Sequence, residues 1–363
     1  MIDPRGITDF RNKVDGSLWC RFKYQNNNDK NQWNCICSAM DWIEASANYI
    51  HNHEIASLHD IELYAYISSV DIIVEAVEQL HRVIFADNKK TIFADDNDCF
   101  LDNPFDQSDR KFFKELRACF GAHPVRLNDP EEPNNKNAKR FASWPSTIGS
   151  GDISVILYSN RVGGKSIELG MKFEQLEWFL NKYYSYLTVL AEALDVQYHD
   201  FCEQKRHEKF SCMGTPIERL KILKAESQKR LNIHYYNHAI DSLMRVYQLK
   251  ITNKQNLGLV QEYRNDLLPA IDEIHDNLQG MTFAELKYDD NGSSCDLPLP
   301  NGWGYFVEKL TETIHGSGYP ECVWLPKLRK IFEDKFVFEY SSLEELDFLI
   351  KATVHVLAKH KPV

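Results

Sequence analysis

From residue 33 the chain reads WNCICSAMDWIEASANYIHN, and Ile36, Met40, Ile43, Ala47 and Ile50 recur at steps of three and four. That spacing predicts a helix with one buried stripe. In the next apolar stretch, 58–85, the set widens to Ile61, Tyr64, Ile67, Val70, Ile73, Val74, Val77, Leu80 and Ile84. It is too broad for a surface helix, so this element is expected at the centre of its domain. Asp71, Glu75 and Glu78 interrupt it at steps of four and three, which keeps all three on one side. Either they form an exposed strip or one of them meets a basic partner, since an unneutralised carboxylate on a buried helix is costly. Glu75 is the candidate for that role.

A polar connection over 89–107 carries DDND and NPFD turn signals, and a third helix is expected to start near Ser108. It runs as DRKFFKELRACFGAHPVR over 109–126, with Gly121 and Pro124 as stop signals. Before residue 33 the Asn-rich run RFKYQNNNDKNQWN reads as a loop, with order expected to begin near Trp33. The segment 128–140, NDPEEPNNKNAKR, reads as an exposed loop. The period then changes from helical to alternating: DISVILYSN and KSIELGMKF flank Gly163 and Gly164, which predicts a β-hairpin near 153–173, followed by a helix rich in Leu, Tyr and Trp. Thr215-Pro216-Ile217-Glu218 is a strong helix start. It opens a helical half: one segment to about Leu249, another over 256–280 interrupted at Pro269, a loop over 289–304, and a last helix capped at Ser342 and ending near Lys359. The expected organisation is an N-terminal arm, 1–32, partly irregular; a helical domain with the hairpin, 33–205; and an α-helical C-terminal domain, 215–363.

With 363 residues and 43% hydrophobic content there is enough apolar material for more than one core. The net charge of -11 argues against bulk coating of nucleic acid, so binding to RNA would need a local basic patch. The stretch 109–126 offers one: Arg110, Lys111, Lys114, Arg117 and Arg126 stand against Asp109 and Glu115. The nine cysteines lack the dense spacing of a disulfide scaffold and are read as thiols. No basic start with an apolar run marks a signal peptide, and no segment of eighteen uncharged apolar residues marks a membrane span, so a cytoplasmic protein with no membrane partner is expected.

Several motifs carry less than they first suggest. Gly163-Gly164-Lys165-Ser166 lacks the earlier glycine of a phosphate loop, Ser159 standing there, and lies between two strands. His234 and His238 are one helical turn apart, but Tyr235 occupies the place where a zinc protease needs glutamate, and no metal is assigned. Cys119 is near His123 in sequence but has no identifiable orienting group, which favours a buried structural thiol. Arg117 and His123 remain: a permanent cation that can hold a phosphate, and a group that exchanges protons near neutral pH. On an unbroken helix six positions leave them about 120° apart, so their convergence needs the helix to end before His123. The competing reading is a surface Arg in a salt bridge and a His at a helix C-terminus.

Helices followed by Arg117-Ala-Cys-Phe-Gly-Ala-His123, an R-x5-H motif, resemble the HEPN superfamily, over at most 33–193. The resemblance implies a mainly α fold with a helical bundle in the N-terminal half. It also implies metal-independent RNA cleavage at the interface of a homodimer, with no cofactor, as in toxins and antiviral-defence effectors. On that reading Arg117 and His123 are catalytic, Glu75 supports them, and Lys111, Lys114 and Arg126 bind RNA phosphates. Ala118 stands where active members often carry a polar residue. That departure favours the alternative, a non-catalytic helical module binding RNA, a nucleotide or a protein, with the C-terminal half open to a protein partner.

Overall fold

The computed structural model describes residues 2–25, 30–59, 61–87, 91–105, 107–122, 127–129, 135–149, 151–287, 325–332 and 335–359. The chain is mainly helical with one small antiparallel sheet and divides into two units, Met1–His199 and Asp200–Val363.

Unit 1 is built on the packing of α3 (Gln32–His51) against α4 (Ile61–Ile84). Every residue of the predicted α3 stripe is buried, as are Ile67 through Ile84 of the predicted α4 set. Ile61 and Tyr64, at the start of α4, are exposed instead. Order begins well before Trp33. Helices α1 (Arg5–Asp15) and α2 (Leu18–Gln25) bury Ile7, Phe10, Val14, Trp19 and Tyr24, because apolar residues at steps of three and four also run through these charged segments. The Tyr184 hydroxyl ties this end down, accepting from the Ile7 N–H and donating to the Asp3 carbonyl.

Helix α5 (Asp109–Arg117) starts where expected, although its opening is held by Asp109 rather than by the Ser108 hydroxyl. The Asp109 carboxylate accepts from the backbone N–H groups of Asp98, Cys99 and Phe100, each at 3.0 Å. The predicted hairpin is present as β3 (Ile153–Ser159) and β4 (Ile167–Met171), with Gly163 at φ 73° in the turn. It is half of a larger element. Strands β1 (Leu127–Asn128) and β2 (Lys139–Ala142) complete a sheet of order β1-β2-β3-β4. They fall at the ends of the segment read as a loop, where Arg140 is buried against Asp129 at 2.8 Å. Helix α6 (Phe173–His207) follows, and the division between units falls within it.

In unit 2, α7 (Pro216–Lys229) opens with the predicted capping box. The expected single segment to Leu249 is two helices. Leu231 and Asn232 both have positive φ, and α8 (His234–Gln248) begins after them. No glycine or proline marks this turn; the buried Arg230 and the Ser227 carbonyl, which accepts from the N–H groups of Arg230 and Asn232, help to fix it, and the Asn232 side chain accepts from Asn237. Helices α9 (Leu257–Asp266) and α10 (Leu268–Gly280) are separated just before Pro269, which occupies the first turn of α10 as its missing N–H allows. The expected loop at 289–304 lies outside the described residues. Helices α11 (Leu325–Phe332) and α12 (Leu343–Lys359) follow, and Leu223, Ile240, Ile271, Ile274, Phe332 and Leu349 share the core.

Glu345, in the first turn of α12, joins three segments of this unit. Its buried carboxylate accepts from the N–H and hydroxyl groups of both Thr252 and Ser341. Burial opposes the charge, but these donors outweigh it and hold the carboxyl below its ordinary 4.5. A lowered folded-state pKa gives stability that is present above the unfolded value and lost as pH falls through the folded one. Glu345→Gln is therefore expected to cost about 2–3 kcal/mol at neutral pH. In thermal melts its deficit relative to wild type should shrink as the pH falls below 4.5.

Candidate active site

Helices α4 and α5 meet through two matched stripes. Asp71, Glu75 and Glu78 lie at steps of four and three on α4; Arg110, Lys114 and Arg117 lie at the same steps on α5. The pairing runs in opposite directions along the two helices. Arg117 Nε is 2.9 Å from Asp71 Oδ2, at one end. At the other end Arg110 Nε donates to Glu78 Oε1 at 2.8 Å and Arg110 Nη2 to Glu75. Arg110 is 4% exposed and Glu78 5%, so their pairing is shielded from solvent, while Glu75 keeps 48% of its side chain exposed. Arg82, one turn further along α4, approaches Glu78 at 3.9 Å.

The three carboxylates do share one side, as their spacing predicts, but that side is no exposed strip. Asp71 and Glu78 are buried because α5 lies over them with cations at the complementary spacing. The partner of Arg117 is Asp71, not Glu75, whose carboxylate is held by Arg110. Arg110 was legible only as one basic residue among five; the signal that singles it out is the match between the two stripes. Burial raises the Asp71 carboxyl above 3.8 even though Arg117 and Arg110 pull it down. Burial alone raises Glu115.

The local positive patch is correspondingly smaller than the sequence suggests. Arg110 is enclosed by carboxylates and Arg117 is paired, which leaves Lys111 and Lys114 as exposed cations of α5. Arg126 and His123 lie outside the described residues. Arg117 itself keeps 45% of its side chain exposed. Immediately after it the helix widens: Ala118–Ala122 form a π-turn, so Gly121 sits inside a helical segment and the α-helix proper ends at Arg117. Such single π-turns are frequent at functional sites, because they displace the following residues from the regular helical face. Cys119 is buried in this turn with its thiol pushed up to about 12, which makes it a poor nucleophile.

His234 and His238 stack on α8 with ring centroids 6.5 Å apart, in a shallow cleft with Asp241 and Arg245. Among the described residues, the three that could share a metal ion are Asp98, Cys99 and Asp109. Asp109 is already saturated by backbone donors and Asp98 is paired with Lys182, so that group is accounted for by the fold. No helix among the described residues is long and apolar enough to cross a membrane. Compared with protein-family models, curated proteins and solved structures, the chain matches none of them.

Proposed function

We propose that unit 1 is a metal-independent endoribonuclease of the HEPN kind, acting through Arg117 and His123, with the site formed in a homodimer. The observation that supports this reading is the placement of Arg117. It is the last residue of α5, half exposed, oriented by the buried Asp71 and followed by a π-turn. A fixed guanidinium and a proton-exchanging imidazole are the two groups that transesterification of RNA needs. His123 takes the proton from a ribose 2′-hydroxyl, whose oxygen attacks phosphorus. Arg117 stabilises the negative charge that develops on the phosphoryl oxygens, and the bond to the 5′-oxygen breaks as that oxygen takes a proton from the His123 imidazolium so formed. The products are a 2′,3′-cyclic phosphate and a 5′-hydroxyl. Asp71 is a positioning residue in this scheme, and Lys111 and Lys114 contact the flanking phosphates.

The test is cleavage of labelled total RNA by the full chain in excess EDTA. Wild type should cleave, and Arg117→Ala and His123→Ala should each lose at least about a hundredfold in rate. Equal thermal melts of the three proteins would separate lost chemistry from lost folding. Absence of cleavage, or equal cleavage by all three, would overturn the proposal. A second reading is favoured by the ion pairs themselves. The same Arg117–Asp71 contact fits a non-catalytic helical module in which α4 and α5 are only clamped together, and that reading predicts intact partner binding in both variants.

A further inference from the structure

We infer that the outer face of the unit 1 sheet is a stacking platform for an unpaired segment of RNA; this rests on the nuclease reading and adds to it the surface that holds the substrate. The first observation is the pattern of burial. Along β3, Ile153, Val155 and Leu157 point into the core, and Ile156 and Tyr158 point out. Tyr158 lies directly opposite Phe141 of β2. Phe141 is 40% exposed, Tyr158 47% and Ile156 40%, and Trp144, just beyond β2, is 66% exposed. The solvated face of an antiparallel sheet ordinarily carries polar residues at such positions. Here two aromatic rings are cross-strand neighbours with an aliphatic side chain beside them, the arrangement on which successive bases stack.

The second observation is charge. Lys136, Lys139, Arg161 and Lys165 gather at the end of the sheet where β2 begins and the β3–β4 turn lies, and Lys136, Arg161 and Lys165 are exposed. Asp129, at that end, is spent on the buried Arg140, and Glu168 is a carboxylate on this face, directly across from Ile156. Glu131 and Glu132 lie outside the described residues. A run of cations beside exposed cross-strand rings is complementary to a single strand, whose phosphates and bases need one each.

The third observation is that part of the charge of the catalytic helix is spent within the fold. Arg110 contacts Asp71, Glu75 and Glu78, and Arg117 pairs with Asp71, which leaves Lys111 and Lys114 for phosphate contacts. In a chain of net charge -11, two lysines supply little affinity for RNA, and a second basic surface is needed. The sheet is the next element of the same unit, its first strand opening at Leu127, four residues after His123.

The experiment uses the full chain and a fluorescein-labelled 2′-O-methyl RNA oligonucleotide, which lacks the attacking hydroxyl and stays intact during anisotropy titrations. Phe141→Ala and Tyr158→Ala should each raise Kd roughly five- to a hundredfold, the range for loss of one stacked base, and Tyr158→Phe should stay near wild type. Lys139→Ala and Lys165→Ala should weaken binding and flatten its salt dependence. With cleavable RNA the aromatic variants should raise KM and leave kcat unchanged. Tight binding retained by both alanine variants would overturn the platform while leaving Arg117-dependent cleavage intact. Binding lost in them, with no cleavage by wild type, would keep the platform and remove the nuclease reading. If light scattering shows that these variants dissociate a dimer with Kd for RNA unchanged, the face is a protein interface and the platform is overturned.

Discussion

Arg110→Ala is expected to destabilise unit 1 by about 3–5 kcal/mol, several times the effect of Arg117→Ala. The two arginines are seven positions apart on the same helix face, yet their surroundings differ. Arg110 is 4% exposed and contacts Asp71, Glu75 and Glu78, so its loss takes the closest counter-charge from the buried Glu78, to which only Arg82 at 3.9 Å then remains near among the described residues. Arg117 is 45% exposed, and an ion pair of that kind contributes within about 1 kcal/mol. Five of the seven tryptophans, Trp19, Trp33, Trp42, Trp144 and Trp178, belong to unit 1, so intrinsic fluorescence during urea unfolding follows the relevant transition. The defect should also depend on pH. Burial already holds the Asp71 carboxyl above 3.8, and without Arg110 it loses one of its two arginines, so the penalty is full at neutral pH and eases as the medium becomes acid enough to protonate it. Combining Arg110→Met with Glu78→Gln should recover about 1–3 kcal/mol relative to the sum of the single changes. If Arg110→Ala unfolds no more readily than Arg117→Ala, the stripes are not what holds α5 on α4.

Arg230→Ala is expected to cost unit 2 a similar amount, about 3–5 kcal/mol, for a different reason. Arg230 is 1% exposed, and its guanidinium serves as a shared cap. Nη1 donates to the carbonyls of Lys205 at 2.7 Å and Leu278 at 3.1 Å, and Nη2 to that of Glu208 at 2.6 Å. These carbonyls end α6 and α10, where no further turn of helix supplies donors and where the helix dipole favours a cation. The Phe210 ring lies 5.0 Å away, and Glu226 balances the charge at 3.3 Å. Lysine has one ammonium in place of a planar fork and cannot reach three carbonyls from one position, so Arg230→Lys should recover only part of the loss. Trypsin reads the local consequence. Cleavage after the exposed Lys209 should accelerate in Arg230→Ala under native conditions, together with a lower melting temperature. Unchanged cleavage would mean that the ends of α6 and α10 hold without the guanidinium.

The elements carrying periodic apolar residues were legible from the chain alone: the α3 stripe, the broad burial of α4, the hairpin of β3 and β4, the start of α7 and the end of α9 before Pro269. Each follows from local geometry, in which spacing fixes the face and Pro or a capping residue fixes the boundary. Where the chain gave no such mark, only the fold decides. Strands β1 and β2 are short and polar, and they exist because β3 offers an open edge and Arg140 finds Asp129. The turn at Leu231 and Asn232 has no glycine to announce it.

The same division applies to the candidate site. That Asp71, Glu75 and Glu78 share one side follows from the sequence, whereas the stop signals at Gly121 and Pro124 do not place the end of α5 at Arg117, where the π-turn begins. Which carboxylate meets which arginine does not follow from the sequence either, because it depends on the direction and offset with which α5 lies on α4. Sequence spacing places charges on a helix face. Whether such charges are a solvated basic patch or a neutralised clamp is set by the face opposite, and here three acids one element away take Arg110 and Arg117 into the contact between α4 and α5 and leave Lys111 and Lys114 exposed.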